Sequence, residues 1–375
     1  MCDVQGQYHQ IKDEVDAAVL GVLASGQVIL GPEVAAFERE AAAFCGAAHA
    51  VGCTSGTDAI ALALHALGIG PGDEVIVPPF TFFASASMVC RVGATPVFAD
   101  IDPVTFNIDP REVENRVTPR TRAVMPVHLF GQCCDMEAIW RIAERHQLYV
   151  VEDAAQSFGS EYQGKRCGTL GAVATFSFYP TKNLGAYGDA GMVTTNDADW
   201  ARRLQALRVH GSDVKYYHKY LGYNMRLDAV HAAVMRVKLR HVPRWLALRE
   251  AAARRYDELI EARQLHGFLQ RPVVRPDRRH TFNQYVVRVP SVHRDPLVKH
   301  LRESGVGVDV YYPLCLHQQE CLAHLGYRAG DFPVGEEAAR TVLALPIFPE
   351  ITEAQQDRVV GAVAGYLRQR LRLAA

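Results

Sequence analysis

Between Glu33 and Thr195 the chain alternates short β-branched runs with stretches of helical period, and several of the runs are apolar at every position. Tyr149-Val150-Val151 is one of them. A strand that is apolar on both faces must be covered on both, the condition of a parallel sheet held between layers of helix. Strands are expected at 50–53, 74–77, 95–99, 123–128, 148–152, 172–178 and 192–195. Helices are expected at 33–44, where Phe37, Ala41 and Phe44 share a face, and at 58–67, stopped by Gly68. Two more are expected at 84–91, after the break at Pro78-Pro79, and at 136–145 behind an Asp135 cap. The fold class is therefore α/β, a large domain with a mostly parallel central sheet flanked by helices.

From 227 to about 262 the pattern turns helical for a long stretch, with an interruption expected at Pro243. A Pro/Arg-rich passage, Arg271 to Pro276, leads into a second unit with a strand at 285–289, a helix at 296–303, a strand at 306–310 and two closing helices. A chain of 375 residues accommodates two such domains. The division is placed at residue 245: 1–245 as the large domain, 246–375 as a smaller C-terminal α+β domain.

Composition narrows the class of partner. Forty basic and 41 acidic residues leave a net charge of −1, without the basic footprint of a nucleic-acid or anionic-membrane binder. No apolar run approaches the roughly 20 residues of a membrane span, and no signal peptide is visible at Met1–Gln5. Nine cysteines without a Cys-x-x-Cys pair read as reduced thiols of a cytoplasmic protein. The 15 histidines include no His-Glu-x-x-His, so no metal site is expected.

In open α/β sheets a ligand sits beyond the carboxyl ends of the strands. Thr54-Ser55-Gly56-Thr57-Asp58 joins a strand to a helix and is either an anion cradle of backbone N–H groups or an ordinary turn capped by Thr57 or Asp58. Asp153 ends an apolar strand, where a buried carboxylate needs a cationic partner: a protonated cofactor ring or a structural Arg. Lys182 follows the next apolar run in a Gly-rich, otherwise uncharged stretch. Desolvation there would make a neutral, nucleophilic amine; the alternative is a solvated loop lysine. Ser177 and Thr181 supply hydroxyls suited to phosphate on the same segment. Gly222 to Asp228 reads by itself as a helix start capped by Asn224 or Asp228. A phosphate cradle, a buried carboxylate and a nucleophilic lysine together are what pyridoxal 5′-phosphate requires.

At these residues the chain closely resembles the DegT/StrS-type sugar aminotransferases, which are fold type I pyridoxal-phosphate enzymes of the aspartate aminotransferase superfamily. The resemblance rests on segments 53–59, 79–85, 152–157, 177–185, Gly222-Tyr223-Asn224 and 330–334, and runs from about Gly31 to Pro349. It implies that Lys182 forms the internal aldimine and moves the proton between substrate and cofactor. It implies that Asp153 pairs with the pyridine nitrogen, Phe82 stacks on the ring, and Gln156 bonds the ring hydroxyl side. Gly56, Thr57 and Ser177 would hold the phosphate. Asn224 would reach the phosphate of the neighbouring subunit, so a homodimer with shared sites is implied, and His317 would lie near the sugar. Three positions depart from the family pattern: Phe158, where His is common, Ala190 in Gly188-Asp189-Ala190-Gly191, and Cys53 before the cradle. Of these, Phe158 is expected to reshape the pocket beside the cofactor.

The activity so implied is ping-pong transamination. L-glutamate aminates the cofactor, passing it through pyridoxamine 5′-phosphate, and the amine then goes to a ketone on a nucleotide-linked sugar. A cyclitol ketone is the alternative acceptor. A sugar dehydratase of the same fold carries His at the lysine position, which Lys182 argues against. A non-catalytic sugar-nucleotide sensor has no need of Lys182 or Asp153. A dinucleotide-binding dehydrogenase fails because Gly68-Ile69-Gly70-Pro71-Gly72 follows a helix rather than a strand. Lys215, Lys219 and Arg226 are either diphosphate contacts or a solvated face.

Overall fold

The computed structural model describes residues 3–374. Seven strands make the central sheet: β1 (His49–Cys53), β2 (Glu74–Val77), β3 (Thr95–Phe98), β4 (Thr121–Val124), β5 (Tyr149–Asp153), β6 (Val173–Ser177) and β7 (Gly191–Thr195). Their spatial order is β1-β7-β6-β5-β4-β2-β3. Only β7 runs against its neighbours, so the other six deliver their carboxyl ends to one edge, and β7 starts from that same edge at Gly191.

Alternate residues of these strands enter different cores, which is why the runs are apolar throughout. Ile76, Val124, Val150 and Ala174 pack with Phe37, Ala41, Met136, Ile139, Met235 and Val242 on one side. Val75, Val77, Ala123, Val151 and Val173 pack with Ile60, Leu62, Leu64 and Val89 on the other. Helix Gly31–Cys45 and the first half of helix Ala229–Ala262 cover the first face, and helices Gly56–Ala66 and Ala84–Arg91 the second. Asp135 caps helix Met136–His146 as expected, accepting from the Ala138 N–H.

The long helix does not break at Pro243: Ala229–Ala262 is continuous. An interior proline costs about 3 kcal/mol, but Leu239, Val242, Trp245 and Leu246 are all buried around it, and that burial outweighs the loss. Beyond it, β8 (Tyr285–Arg288) and β9 (Val342–Leu345) pair antiparallel, with helices Ser291–Glu303, Pro333–Thr341 and Glu353–Ala374 around a core of Tyr256, Tyr285, Leu297, Leu343 and Val360. The strand expected at 306–310 is absent. Only Asp309 bridges to Ala344, and the Asp309 side chain takes the next amide, that of Val310, at 2.9 Å. β9 supplies the missing partner strand. No helix among the described residues is long and apolar enough to cross a membrane.

Candidate active site

A cavity of about 540 Å³ opens at the carboxyl edge of the sheet. Each parallel strand on its rim contributes residues at or just past its carboxyl end. These are Ser55, Gly56 and Thr57 after β1, Thr81 and Phe82 after β2, Val127 after β4, Asp153 and Gln156 from β5, and Ser177, Thr181 and Lys182 from β6. Gln284, Tyr311 and Tyr312 close the cavity from the C-terminal unit.

The helix Gly56–Ala66 starts at the cavity wall. Ser55, rather than Thr57 or Asp58, is its cap, accepting the Asp58 N–H at 3.1 Å. The Gly56 and Thr57 amides lie in the first turn, where a helix supplies no acceptor of its own, beside the Ser177 hydroxyl. Gly56 is required by closeness: a Cβ there would stand 2.5 Å from the Ser177 Cβ. Gly191 is equally constrained, since its Cβ would meet the Ser55 carbonyl oxygen at 2.2 Å. These two contacts press the turn onto the ends of β6 and β7 and leave a shallow cradle of N–H and hydroxyl groups.

Asp153 is buried at the end of β5. Its Oδ2 accepts the Ser85 hydroxyl at 2.7 Å and its Oδ1 the Ala155 N–H at 3.2 Å. Burial pushes its carboxyl above the usual range, while the two hydrogen bonds and the Lys182 charge hold it down. Burial likewise lowers the Lys182 amine to about 8, against the pull of Asp153. Lys182 sits in a turn that its own amide closes on the Tyr179 carbonyl at 2.9 Å, and the adjacent Asn183 is tied to the Phe158 carbonyl at 3.3 Å. Gln156 accepts the Phe130 N–H on Oε1 at 2.7 Å and donates from Nε2 to the Tyr312 hydroxyl at 3.0 Å. Phe82 is 57% exposed, a flat apolar face presented at the mouth.

Eight of the residues singled out in the sequence thus meet in one cavity: Gly56, Thr57, Phe82, Asp153, Gln156, Ser177, Thr181 and Lys182. Asn224 does not join them; it is exposed and bridges to Val209. His317 lies elsewhere too, buried between Phe98 and Phe332, with Nε2 3.1 Å from Glu336. Lys215, Lys219 and Arg226 are also off the cavity, the two lysines over the rings of Tyr216 and Tyr220. The expectation that Phe158 alters the pocket is corrected: it packs away from the cavity, stacked on Phe44 at 4.9 Å and edge-on to Phe176 and Phe178. Ser85, Gln284, Tyr311 and Tyr312 were not foreseen. The one signal for the tyrosines was an aromatic pair set directly before Pro313.

A lysine of depressed basicity and a buried carboxylate at the strand ends of a mostly parallel sheet, with a C-terminal unit closing over them, define the class: a fold type I transferase. The model of the DegT/DnrJ/EryC1/StrS aminotransferase family matches residues 9–364, and the chain belongs to that family. It is 50% identical over 98% of both chains to the "Pleiotropic regulatory protein" of Geobacillus stearothermophilus. It is 45% identical to the dTDP-3-amino-3,4,6-trideoxy-alpha-D-glucose transaminase of Streptomyces venezuelae, over 96% of this chain and 94% of that one. The solved structure of S. venezuelae DesV in complex with a ketimine intermediate superposes with a TM-score of 0.94, at 44% identity and 97% coverage of both chains. NtdA of Bacillus subtilis with bound cofactor PMP superposes at 0.89, with 32% identity over 96% of this chain and 82% of that one.

Proposed function

We propose that this chain moves an amino group from L-glutamate to the keto group of a nucleotide-linked sugar, with pyridoxal 5′-phosphate as the carrier. The observation that carries the reading is that Lys182 and Asp153 share one cavity, the amine lowered to about 8 and the acid in no ion pair among the described residues. A ring with a phosphate at one end and a basic nitrogen at the other matches both needs. The Gly56 and Thr57 amides and the Ser177 hydroxyl would take the phosphate, and Asp153 the ring nitrogen. Phe82 would cover the ring face and Gln156 would meet its hydroxyl. Bound there, the cofactor supplies an electron sink for the carbon that gains or loses its α-proton. Lys182 captures the cofactor through its neutral amine and afterwards carries that proton. Asp153, held in a single orientation by Ser85, keeps the ring nitrogen protonated. The S. venezuelae transaminase supports a nucleotide-linked sugar as acceptor. Asn224, exposed in this chain, would complete the phosphate site of a second subunit in a homodimer. We also place a cofactor-binding unit at 1–245 and a closing unit at 246–375, in a cytoplasmic protein whose eight described cysteines are all free.

A second reading, a non-catalytic sensor, is favoured by names alone: the regulatory one of the Geobacillus relative and the "sensory transduction protein" name of a Saccharopolyspora erythraea relative, 44% identical over 96% of this chain. One experiment separates the two. The purified protein is incubated with pyridoxal phosphate and its visible spectrum followed as L-glutamate is added without acceptor. The visible band should fade as the aminated cofactor accumulates, and Lys182→Ala should form no such band and lose activity by about 10²–10⁴-fold. A band indifferent to glutamate would exclude this donor. A protein that takes no colour would overturn the catalytic reading.

A further inference from the structure

We propose that Tyr312 is a positioning residue for this site, acting through Gln156: by accepting one N–H of the Gln156 carboxamide it directs the other at the ring hydroxyl of bound pyridoxal phosphate. The inference rests on the cofactor reading above and goes beyond it, because it assigns a task to the C-terminal unit.

Three features of the geometry lead there. First, the Gln156 amide has a defined orientation. The Phe130 backbone N–H donates to Oε1 at 2.7 Å, so the oxygen is the atom turned away from Tyr312 and Nε2 is the atom turned toward it. A backbone bond to one atom of a carboxamide still leaves the group free to swing about its last torsion, which is soft. The Tyr312 hydroxyl at 3.0 Å gives it a second anchor. Second, Tyr312 is itself held: its ring meets Phe80 edge-on at 6.1 Å and Phe82 at 6.3 Å, among the residues that join the sheet edge to the C-terminal unit. Third, the phenol takes the Gln156 hydrogen bond as an acceptor. Burial in this setting pushes its own ionisation upward, so it meets Gln156 as a neutral oxygen. An amide nitrogen has two hydrogens. With one committed to Tyr312, the second is left for a partner in the cavity that Gln156 lines.

This makes a prediction that a space-filling role would not. A donor aimed at the ring oxygen stabilises negative charge on it, most of all when the nitrogen joining Lys182 to the cofactor has lost its proton. Removing or misdirecting that donor must raise the pH at which the visible band of the bound cofactor changes. The holoprotein is titrated spectroscopically from pH 5 to 10 as wild type, Tyr312→Phe, Gln156→Leu and the double variant, with folding checked by circular dichroism. Phe keeps the ring and its contacts and deletes only the hydroxyl. The transition should move up by about one pH unit in Gln156→Leu, the worth of one hydrogen bond to a charged group. It should move in the same direction, by less, in Tyr312→Phe, and the double variant should match Gln156→Leu alone. A transition that stays put in folded Tyr312→Phe, or shifts that add in the double variant, would overturn the proposal. A wild type that takes no colour has no transition to titrate and would overturn the cofactor reading itself, so the two failures are distinguishable.

Discussion

Glu152 and Asp153 are consecutive residues of one strand, both buried, and they end as opposite kinds of carboxylate. Glu152 is finished by the protein. Its Oε1 accepts the amides of Leu170 at 2.6 Å and Gly171 at 2.8 Å, and its Oε2 accepts the Gly168 amide at 2.9 Å and the His128 ring at 3.1 Å. Burial disfavours a charged His128 ring and Glu152 favours one. The Cys134 amide decides between them: it donates to Nδ1 at 3.1 Å, so that nitrogen holds no proton and Nε2–H faces the carboxylate. Asp153 has a hydroxyl and one amide, and otherwise looks into the cavity. A buried carboxylate with four donors holds loops together; one with two keeps the capacity to accept a further donor from the cavity.

Substituting the pair tests that difference most severely. Glu152→Gln puts an NH₂ group among N–H donors and should cost about 1–3 kcal/mol for each donor left without an acceptor, read in denaturant unfolding. Asp153→Asn should leave the cofactor-free protein at least as stable as wild type at pH 7. The sign comes from the raised carboxyl: ionising it in the folded chain costs stability, a cost absent below the unfolded value of about 3.9 and complete above the raised folded one. Transamination by Asp153→Asn should nonetheless fall by about 10²–10³-fold. Equal stability losses in the two variants would dissolve the contrast.

Gly56→Ala probes the cradle at the other end of the cavity. The 2.5 Å approach to Ser177 must be relieved by moving the helix start or Ser177, at about 1–3 kcal/mol. Pyridoxal phosphate affinity should drop roughly 10–100-fold, read by equilibrium titration of the visible band. Unchanged affinity would mean that the phosphate sits elsewhere.

How much of this was legible in the sequence depended on where the determining contact lay. Glu74–Val77 and Ala84–Arg91 were readable to the residue, because Pro78-Pro79 separates them and periodicity fills the rest. The site residues at strand ends were readable for a related reason: an α/β sheet brings every such end to one edge. Side-chain direction within a loop was not. Phe158 stands two positions after Gln156, yet one enters the Phe44–Phe176 core and the other the cavity. The resemblance set His317 near the sugar, whereas its side chain is paired with Glu336 in an aromatic pocket. Ser85 and Tyr312 reach the site from 68 and 156 residues away from their partners, distances no local pattern spans.

Lys182 sharpens the comparison most finely, because burial acts on it as on Asp153 but with the opposite sign. Desolvation penalises whichever form is charged, so it raises an acid and lowers an amine. With the amine lowered to about 8, the neutral, nucleophilic form is half populated near pH 8 rather than near the ordinary value of about 10.4. The rate at which cofactor-free protein captures pyridoxal phosphate should therefore rise about tenfold per pH unit below 8 and level off above it, measured by stopped-flow growth of the visible band. Asp153→Asn removes the one charge that holds the amine up, so in that variant the plateau should begin at lower pH. A rate still climbing at pH 10 would mean that Lys182 is solvated like any surface lysine, and that the two groups do not share the environment that sets Asp153 apart from Glu152.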